Sequence, residues 1–192
     1  MPSRREILAS SAAVAGAALL SSCGGGPSNP DDASAAAAQM RDDSTVVAGL
    51  LDMEDSAVVA YGYIGERLSG QARALARQFA GHEREHSNAL RRTLADLGHP
   101  GAPPKPAALY RSAFPPLRSP GDALAFALDV EETAIGAYAD AFTRVFTDPV
   151  RSRLAAILAT EAEQAAVWLG RLGRPPIPDA FVTGPPPSVD DQ

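Results

Sequence analysis

The stretch LDMEDSAVVAY at Leu51–Tyr61 returns as LDVEETAIGAY at Leu128–Tyr138, in a single frame and with most positions identical or conservatively replaced. A shorter similarity follows each copy, with Glu-Arg-Glu-His at residues 83–86 and Glu-Ala-Glu-Gln at residues 161–164. Agreement over two separate segments is not expected by chance. The repeat therefore predicts two helical hairpins related by a pseudo-twofold axis.

The repeats lie in a predicted domain of four helices, residues 42–172, in which no stretch sustains the two-residue alternation of a strand. The first helix is predicted over residues 43–68 and the second over residues 71–97. A long proline-rich segment follows, which can carry the chain from one end of a bundle to the other. Ser119-Pro120 and Asp148-Pro149 predict the starts of the third and fourth helices. The predicted fold is all-α, a four-helix bundle of two antiparallel hairpins joined by a long crossover.

Each predicted helix carries a glutamate within its apolar face, as the rotation of about 100° per residue shows. These inward glutamates are Glu54, Glu83, Glu131 and Glu161. His86 follows Glu83 at the i+3 position and therefore shares its face. Burying an ionised carboxylate without a partner costs several kcal/mol, and four of them also repel one another. A group that neutralises these charges is therefore required at the centre of the bundle.

A pair of divalent cations would balance the four carboxylates. One glutamate from each of two helices, with a Glu-x-x-His pair from each of the other two, is the ligand arrangement of di-iron and di-manganese carboxylate bundles. Gln164 stands where the second histidine of that arrangement belongs. Oxygen and imidazole donors suit iron, manganese or zinc. The predicted ligands of this centre, most simply of two iron ions, are Glu54, Glu83, His86, Glu131, Glu161 and Gln164.

The same residues allow a bundle without metal. Its inner glutamates would be protonated, paired with arginines, or bonded to the hydroxyls of Tyr61 and Tyr138. Such a bundle would be a binding or structural module of the cell envelope. Convergence of the glutamates and His86 favours the metal centre, whereas arginines at the centre favour the metal-free bundle.

The segment HEREH, residues 82–86, also fits the H-E-x-x-H pattern of zinc proteases, in which both histidines bind zinc and the glutamate acts as base. His82 lies at the margin of the apolar face. The longer form of the pattern fails, because Ala89 and Arg92 replace its glycine and third histidine. The repeat keeps the glutamate and neither histidine, so a zinc protease is the weaker hypothesis.

The first 22 residues predict an export signal, with a charged start and an apolar run at residues 7–20 that is too short to span a bilayer as a helix. Ser3-Arg4-Arg5-Glu6-Ile7-Leu8 resembles a twin-arginine signal, and Leu20-Ser21-Ser22-Cys23 resembles a bacterial lipobox. Cys23, the only cysteine, is the predicted lipidation site. The expected location is the outer face of the cytoplasmic membrane, in the cell envelope.

Residues 23–41 predict a flexible spacer behind the anchor, because large apolar residues are scarce there, and residues 173–192 predict a proline-rich tail. The net charge of -6 argues against a nucleic-acid partner. The predicted partners are the membrane, through the lipid anchor, and a second copy of the chain in a homodimer. The sequence identifies no other protein partner.

The repeat, the crossover, Glu83-x-x-His86 and Glu161-x-x-Gln164 resemble the ferritin-like superfamily over residues 42–172. Within it the chain is most similar to exported ferritin-like proteins of actinobacteria whose role is unknown. That similarity lies in the pattern E-x-x-x-V-x-A-Y at residues 54–61 and in the A-x-Y of AALY at residues 107–110.

The resemblance implies a role for each predicted ligand: Glu54 and His86 as terminal ligands of one metal, Glu83 and Glu131 as bridges, and Glu161 on the second metal. Gln164 departs from the pattern of bacterioferritins and rubrerythrins at that second position. The implied activities are oxidation of ferrous iron by dioxygen or peroxide, and reduction of peroxide. Twin-arginine export handles folded proteins, which suits a metal loaded in the cytoplasm.

Overall fold

The computed structural model describes residues 30–181 and residue 184. Within this part of the chain there are five α-helices and no strand. The helices are α1 (Pro30–Arg67), α2 (Gly70–Asp96), α3 (Ala107–Arg111), α4 (Pro120–Ala141) and α5 (Asp148–Arg171). The predicted export signal at residues 1–22 and the predicted lipidation site Cys23 lie outside the described residues. No helix in the described part is long and apolar enough to cross a membrane.

The four long helices surround a common core. Helices α1 and α2 pack together as one hairpin and α4 and α5 as the other, while α1 also contacts α4 and α2 contacts α5. Asp43, in the first half of α1, bonds to Phe146, which follows the end of α4. The two helices therefore run antiparallel, and the predicted bundle of two hairpins is confirmed.

Helix α1 begins at Pro30, although a flexible spacer was predicted as far as residue 41. The added turns are almost entirely exposed, so they contribute nothing to the core. They are rich in alanine, the residue of highest intrinsic helix propensity. Asp31 and Asp32 in the first turn also interact favourably with the helix dipole. The extension therefore forms through the helix propensity of its residues. The spacing of apolar residues does not predict it, because it has no buried face.

The crossover lies along α1 and contains α3, a helix that the four predicted helices did not include. At its start, Gly101 packs so closely that a Cβ there would come within 2.7 Å of Leu51. At its end, Arg67 Nε donates a hydrogen bond to the carbonyl oxygen of Leu117 at 2.9 Å. Between these points the buried Tyr110 fixes α3 against the bundle. The crossover thus runs along the C-terminal half of α1, from Leu51 to Arg67, in agreement with its predicted role of carrying the chain along the bundle.

Two helix starts were predicted, and one is corrected by a single residue. Ser119 caps α4 as expected: its hydroxyl accepts from Asp122 N, and the Asp122 carboxylate accepts from Ser119 N. Thr147 occupies the N-cap position of α5 without a side-chain capping bond, and Asp148 is the first helical residue. The backbone N–H and the hydroxyl of Thr147 donate instead to Asp43 of α1.

Asp43 ties the connection between α4 and α5 to α1. It is fully buried and accepts hydrogen bonds from Phe146 N at 2.8 Å, Thr147 N at 3.0 Å and Thr147 Oγ1 at 2.6 Å. Replacing it with alanine leaves these donors without an acceptor. We expect Asp43→Ala to lower the free energy of unfolding by about 3 kcal/mol, measured by denaturant titration.

The exposed neighbour Asp42 provides the control. Asp42→Ala is expected to change the free energy of unfolding by less than about 0.5 kcal/mol. Equal losses in the two variants would mean that other contacts hold the connection.

Candidate metal centre

A polar layer divides the core of the bundle. One apolar cluster contains Ile64 and Trp168, the other contains Val47 and Leu154, and the layer lies between them. Its members come from all four long helices and are almost inaccessible to solvent. The exposed fractions are 0% for Glu54, Glu131 and Glu161, 1% for Glu83, 2% for Gln164 and 9% for His86. The prediction that each long helix buries one glutamate at the centre is confirmed.

His86 is the hub of this layer. Its Nδ1 atom lies 2.8 Å from Glu161 Oε1, 3.3 Å from Glu83 Oε2 and 3.7 Å from Glu54 Oε2. One ligand atom from each of these four residues lies within 4.8 Å of all the others. Helices α1, α2 and α5 therefore place three carboxylates and one imidazole around a single point.

Two buried tyrosines each bond to one carboxylate oxygen of the layer. Tyr138 donates to Glu54 Oε1, and Tyr61 donates to Glu131 Oε1, each across the α1–α4 contact. The predicted tyrosine–carboxylate bonds are thus confirmed. On one side only, Trp168 Nε1 donates to the hydroxyl oxygen of Tyr61 at 2.8 Å. Since an indole N–H can only donate, this bond directs the Tyr61 proton toward Glu131.

Gln164 bonds to two of the carboxylates. Its Nε2 atom donates to Glu83 Oε1 at 3.0 Å and to Glu161 Oε2 at 3.5 Å. The amide therefore presents hydrogens, rather than oxygen, to these two glutamates. It occupies the position at which the repeat has His86 in the other hairpin.

The donor set fits a divalent cation. Glu54 Oε2 and Glu161 Oε1 are buried and make no hydrogen bond, although both face His86. Buried polar atoms normally have a partner, so such atoms mark a place where an ion or water binds. Carboxylate oxygens and an imidazole nitrogen suit iron, manganese or zinc. The buried cluster can therefore hold a metal ion, whose identity the ligands leave open among these three.

Burial dominates the electrostatics of the carboxylates. It raises the pKa of Glu54 well above its ordinary value, an effect that His86 opposes and Glu161 reinforces. Burial is also the largest cause that raises the pKa of Glu131, and the contact with Glu161 raises this pKa further. The pKa of Tyr138 also rises, through burial and then the nearby charge of Glu54. In the metal-free protein, protonation therefore neutralises part of the layer.

His86 responds in the opposite way. Burial alone would lower its pKa, but the carboxylates of Glu161, Glu54 and Glu83 beside its ring outweigh burial and raise the pKa to about 12. The imidazolium then supplies positive charge in the metal-free state. A cation that binds here must displace that proton, because histidine binds metals in its neutral form.

The structure brings together most of the predicted ligands. Four of them, Glu54, Glu83, His86 and Glu161, form the cluster, whereas Glu131 lies outside this group and Gln164 acts as a donor to it. His82 is also outside: its ring packs on Phe79 at 5.7 Å between centroids. The group of converging ligands therefore contains only one histidine of the zinc-protease pattern. Among the described residues no arginine pairs with these glutamates.

Trp168 is not among the candidate residues identified from the sequence. A signal was present, since Trp168 lies one helical turn beyond Gln164 and shares its inward face. The bond to Tyr61 depends on the relative positions of α1 and α5, which spacing within one helix does not give.

Comparison with known proteins agrees with this architecture. Residues 33–174 match the family of ferritin-like domains. A conserved hypothetical protein of Mycobacterium tuberculosis is similar in structure, with a TM-score of 0.63 and 18% identity over 74% of this chain and 99% of that one. No curated protein matches the chain.

A two-domain protein of Anabaena variabilis, with DJ-1/ThiJ/PfpI-like and ferritin-like domains, gives a TM-score of 0.56 and 18% identity. That match covers 78% of this chain and 41% of the other protein, so the chain spans about two fifths of that relative. At such identities these likenesses concern the fold. The family match over residues 33–174, with which these folds agree, shows that the chain belongs to the ferritin-like domain family.

Proposed function

We propose that the protein is an exported, lipid-anchored ferritin-like metalloprotein with oxidoreductase activity toward iron or peroxide at the outer face of the cytoplasmic membrane. The observation that carries the metal-dependent part is the convergence of Glu54, Glu83, Glu161 and His86 within 4.8 Å. The location rests on the twin-arginine and lipobox patterns that end at Cys23.

The side chains around the centre suit this chemistry. Bound iron would supply one-electron redox chemistry that carboxylates and imidazole lack. The apolar clusters above and below the layer exclude bulk water, and the tyrosines fix the carboxylates. His86 is the most exposed member of the set, so a small substrate such as ferrous iron or hydrogen peroxide approaches past it.

The decisive test is metal analysis of the full chain purified from its native host, followed by an iron-oxidation assay. We expect bound iron in the wild type, and loss of both iron and activity in Glu83→Ala, which removes a ligand. Glu85→Ala is the matched control, since Glu85 is exposed on the same helix. Wild-type protein that stays metal-free after reconstitution with ferrous iron would contradict the proposal.

The alternative, a metal-free binding module, is favoured by a second observation. A cavity of about 570 Å³ lies between α1 and α4, beneath α3, and is lined largely by apolar side chains such as Phe114, Phe126 and Val130. A cavity of this size can accept a small organic ligand. Iron-free protein that co-purifies with such a ligand would support the module and reject the oxidoreductase.

A further inference from the structure

We infer that the centre holds one divalent cation, bound by Glu54, Glu83, His86 and Glu161, rather than the predicted pair, because Gln164 denies a second cation its ligands. The inference rests on the proposed metal binding and concerns its stoichiometry. The pseudo-twofold repeat would lead one to expect two equivalent half-sites. The contacts in the two halves differ at the residues that a second cation would need.

The first difference is the direction of the Gln164 amide. Its N–H group points at Glu83 Oε1 and Glu161 Oε2, the oxygens left over once the other oxygens of these carboxylates face His86. A second cation would have to share these oxygens with the amide hydrogens, which already use one lone pair of each. Rotating the amide would break both bonds and offer only a neutral oxygen in exchange.

The second difference is the position of Glu131. Its symmetry mate Glu54 belongs to the converging group, with Oε2 3.7 Å from the imidazole nitrogen, whereas Glu131 lies outside that group. Glu131 is held at Oε1 by Tyr61, and Tyr61 is fixed by Trp168 Nε1 at 2.8 Å. Tyr138, the mate of Tyr61, has no such indole donor among its hydrogen bonds. Glu131 is thus tied to the Tyr61–Trp168 pair and not to the imidazole.

The number of converging ligands is consistent with one cation. One divalent ion would be bound by three glutamates and one imidazole, and these include both carboxylates that bond to Gln164. Four donors complete a tetrahedral set or leave positions open for water and substrate. In the second half of the layer an amide and a phenol donate hydrogen bonds, and two oxygens, Glu131 Oε2 and Gln164 Oε1, have no partner. These two oxygens are fewer than the four donors that converge in the first half.

The test counts cations per chain. Full-length protein is stripped with a chelator, equilibrated anaerobically with cobalt(II) as the probe, dialysed, and analysed for bound metal and for its visible absorption spectrum. We expect one cobalt per chain in the wild type and two in Gln164→His, which replaces the amide donor with a second imidazole. Gln164→Leu is the control, because it removes the amide without adding a ligand, and is expected to stay at one.

Each outcome discriminates. Two ions in the wild type would overturn the single-cation inference while leaving metal binding intact. One ion in Gln164→His would overturn the role assigned to Gln164. No ion in any of the proteins would reject the proposed function itself. Circular dichroism of each variant ensures that only folded protein is counted.

A second measurement compares the two symmetry mates. Glu54→Gln is expected to weaken cobalt binding by about 100-fold or more. Removing a residue that only bonds to a metal ligand lowers the affinity by about 10- to 100-fold, and removing a ligand itself lowers it further. Glu131→Gln keeps an oxygen acceptor for Tyr61 and is expected to change the affinity by less than about 10-fold. Equal losses in the two variants would make Glu131 a ligand and overturn the inference.

Discussion

The metal-free protein is expected to lose stability as the pH rises from about 5 to 8. Burial raises the pKa of Glu54 and Glu131 above the ordinary 4.5, and the surrounding carboxylates raise that of His86 from 6.5 to about 12 despite its burial. Above those ordinary values the folded protein keeps protons that the unfolded chain has released. Each such proton lowers the free energy of unfolding by about 1.4 kcal/mol per pH unit.

The direction of each group's contribution to stability follows from the direction of its pKa shift. The contribution of His86 is fully present below pH 6.5 and is lost as the pH rises toward about 12. The two glutamates destabilise the folded state increasingly above pH 4.5, because burial opposes their ionisation. Urea titrations at several pH values, with a chelator present, measure the slope. Stability that rises over this range would contradict these protonation states.

A bound cation is expected to remove this trend. It replaces the protons of the layer, so binding releases protons and the affinity increases with pH. A free cation concentration of 1,000 times the dissociation constant would stabilise the fold by about 4 kcal/mol. Thermal melts with and without cobalt(II) at pH 6 and pH 8 measure the difference. A stabilisation that does not increase with pH would show that the cation binds elsewhere.

Trp168→Ala is expected to lower the free energy of unfolding by about 3–5 kcal/mol. The side chain is fully buried, stacks on Tyr61 at 6.2 Å between centroids and meets Phe79 edge-on at 5.4 Å. Its removal leaves a large cavity and takes away the N–H bond to Tyr61. Denaturant unfolding measures the loss.

Two further variants separate packing from hydrogen bonding at this position. Trp168→Phe keeps most of the stacking and loses the bond, so a loss of about 1–2 kcal/mol is expected. Val167→Ala, at the neighbouring and more exposed position, is expected to cost less than about 1 kcal/mol. Equal effects of Trp168→Ala and Val167→Ala would show that Trp168 does not hold the bundle together.

Much of the fold was predictable because helix faces are local. The rotation between successive residues placed Glu54, Glu131 and Glu161 inside without reference to any neighbour. The capping signal at Ser119 was equally local. The start of α1 was missed because that segment forms from alanine propensity and contacts no core. Helix α3 was missed because a short segment within a proline-rich crossover has no helical period to detect.

The sequence by itself determined that four glutamates and His86 enter the centre, because the spacing of residues along a helix fixes the face on which each one lies. Only the tertiary structure decided which of them meet. The contact of His86 with Glu161, the hydrogen bond from Gln164 to Glu83 and the bond from Trp168 to Tyr61 each join two different helices. Such distances depend on the relative shift and rotation of packed helices, which the core as a whole sets and no single helix encodes.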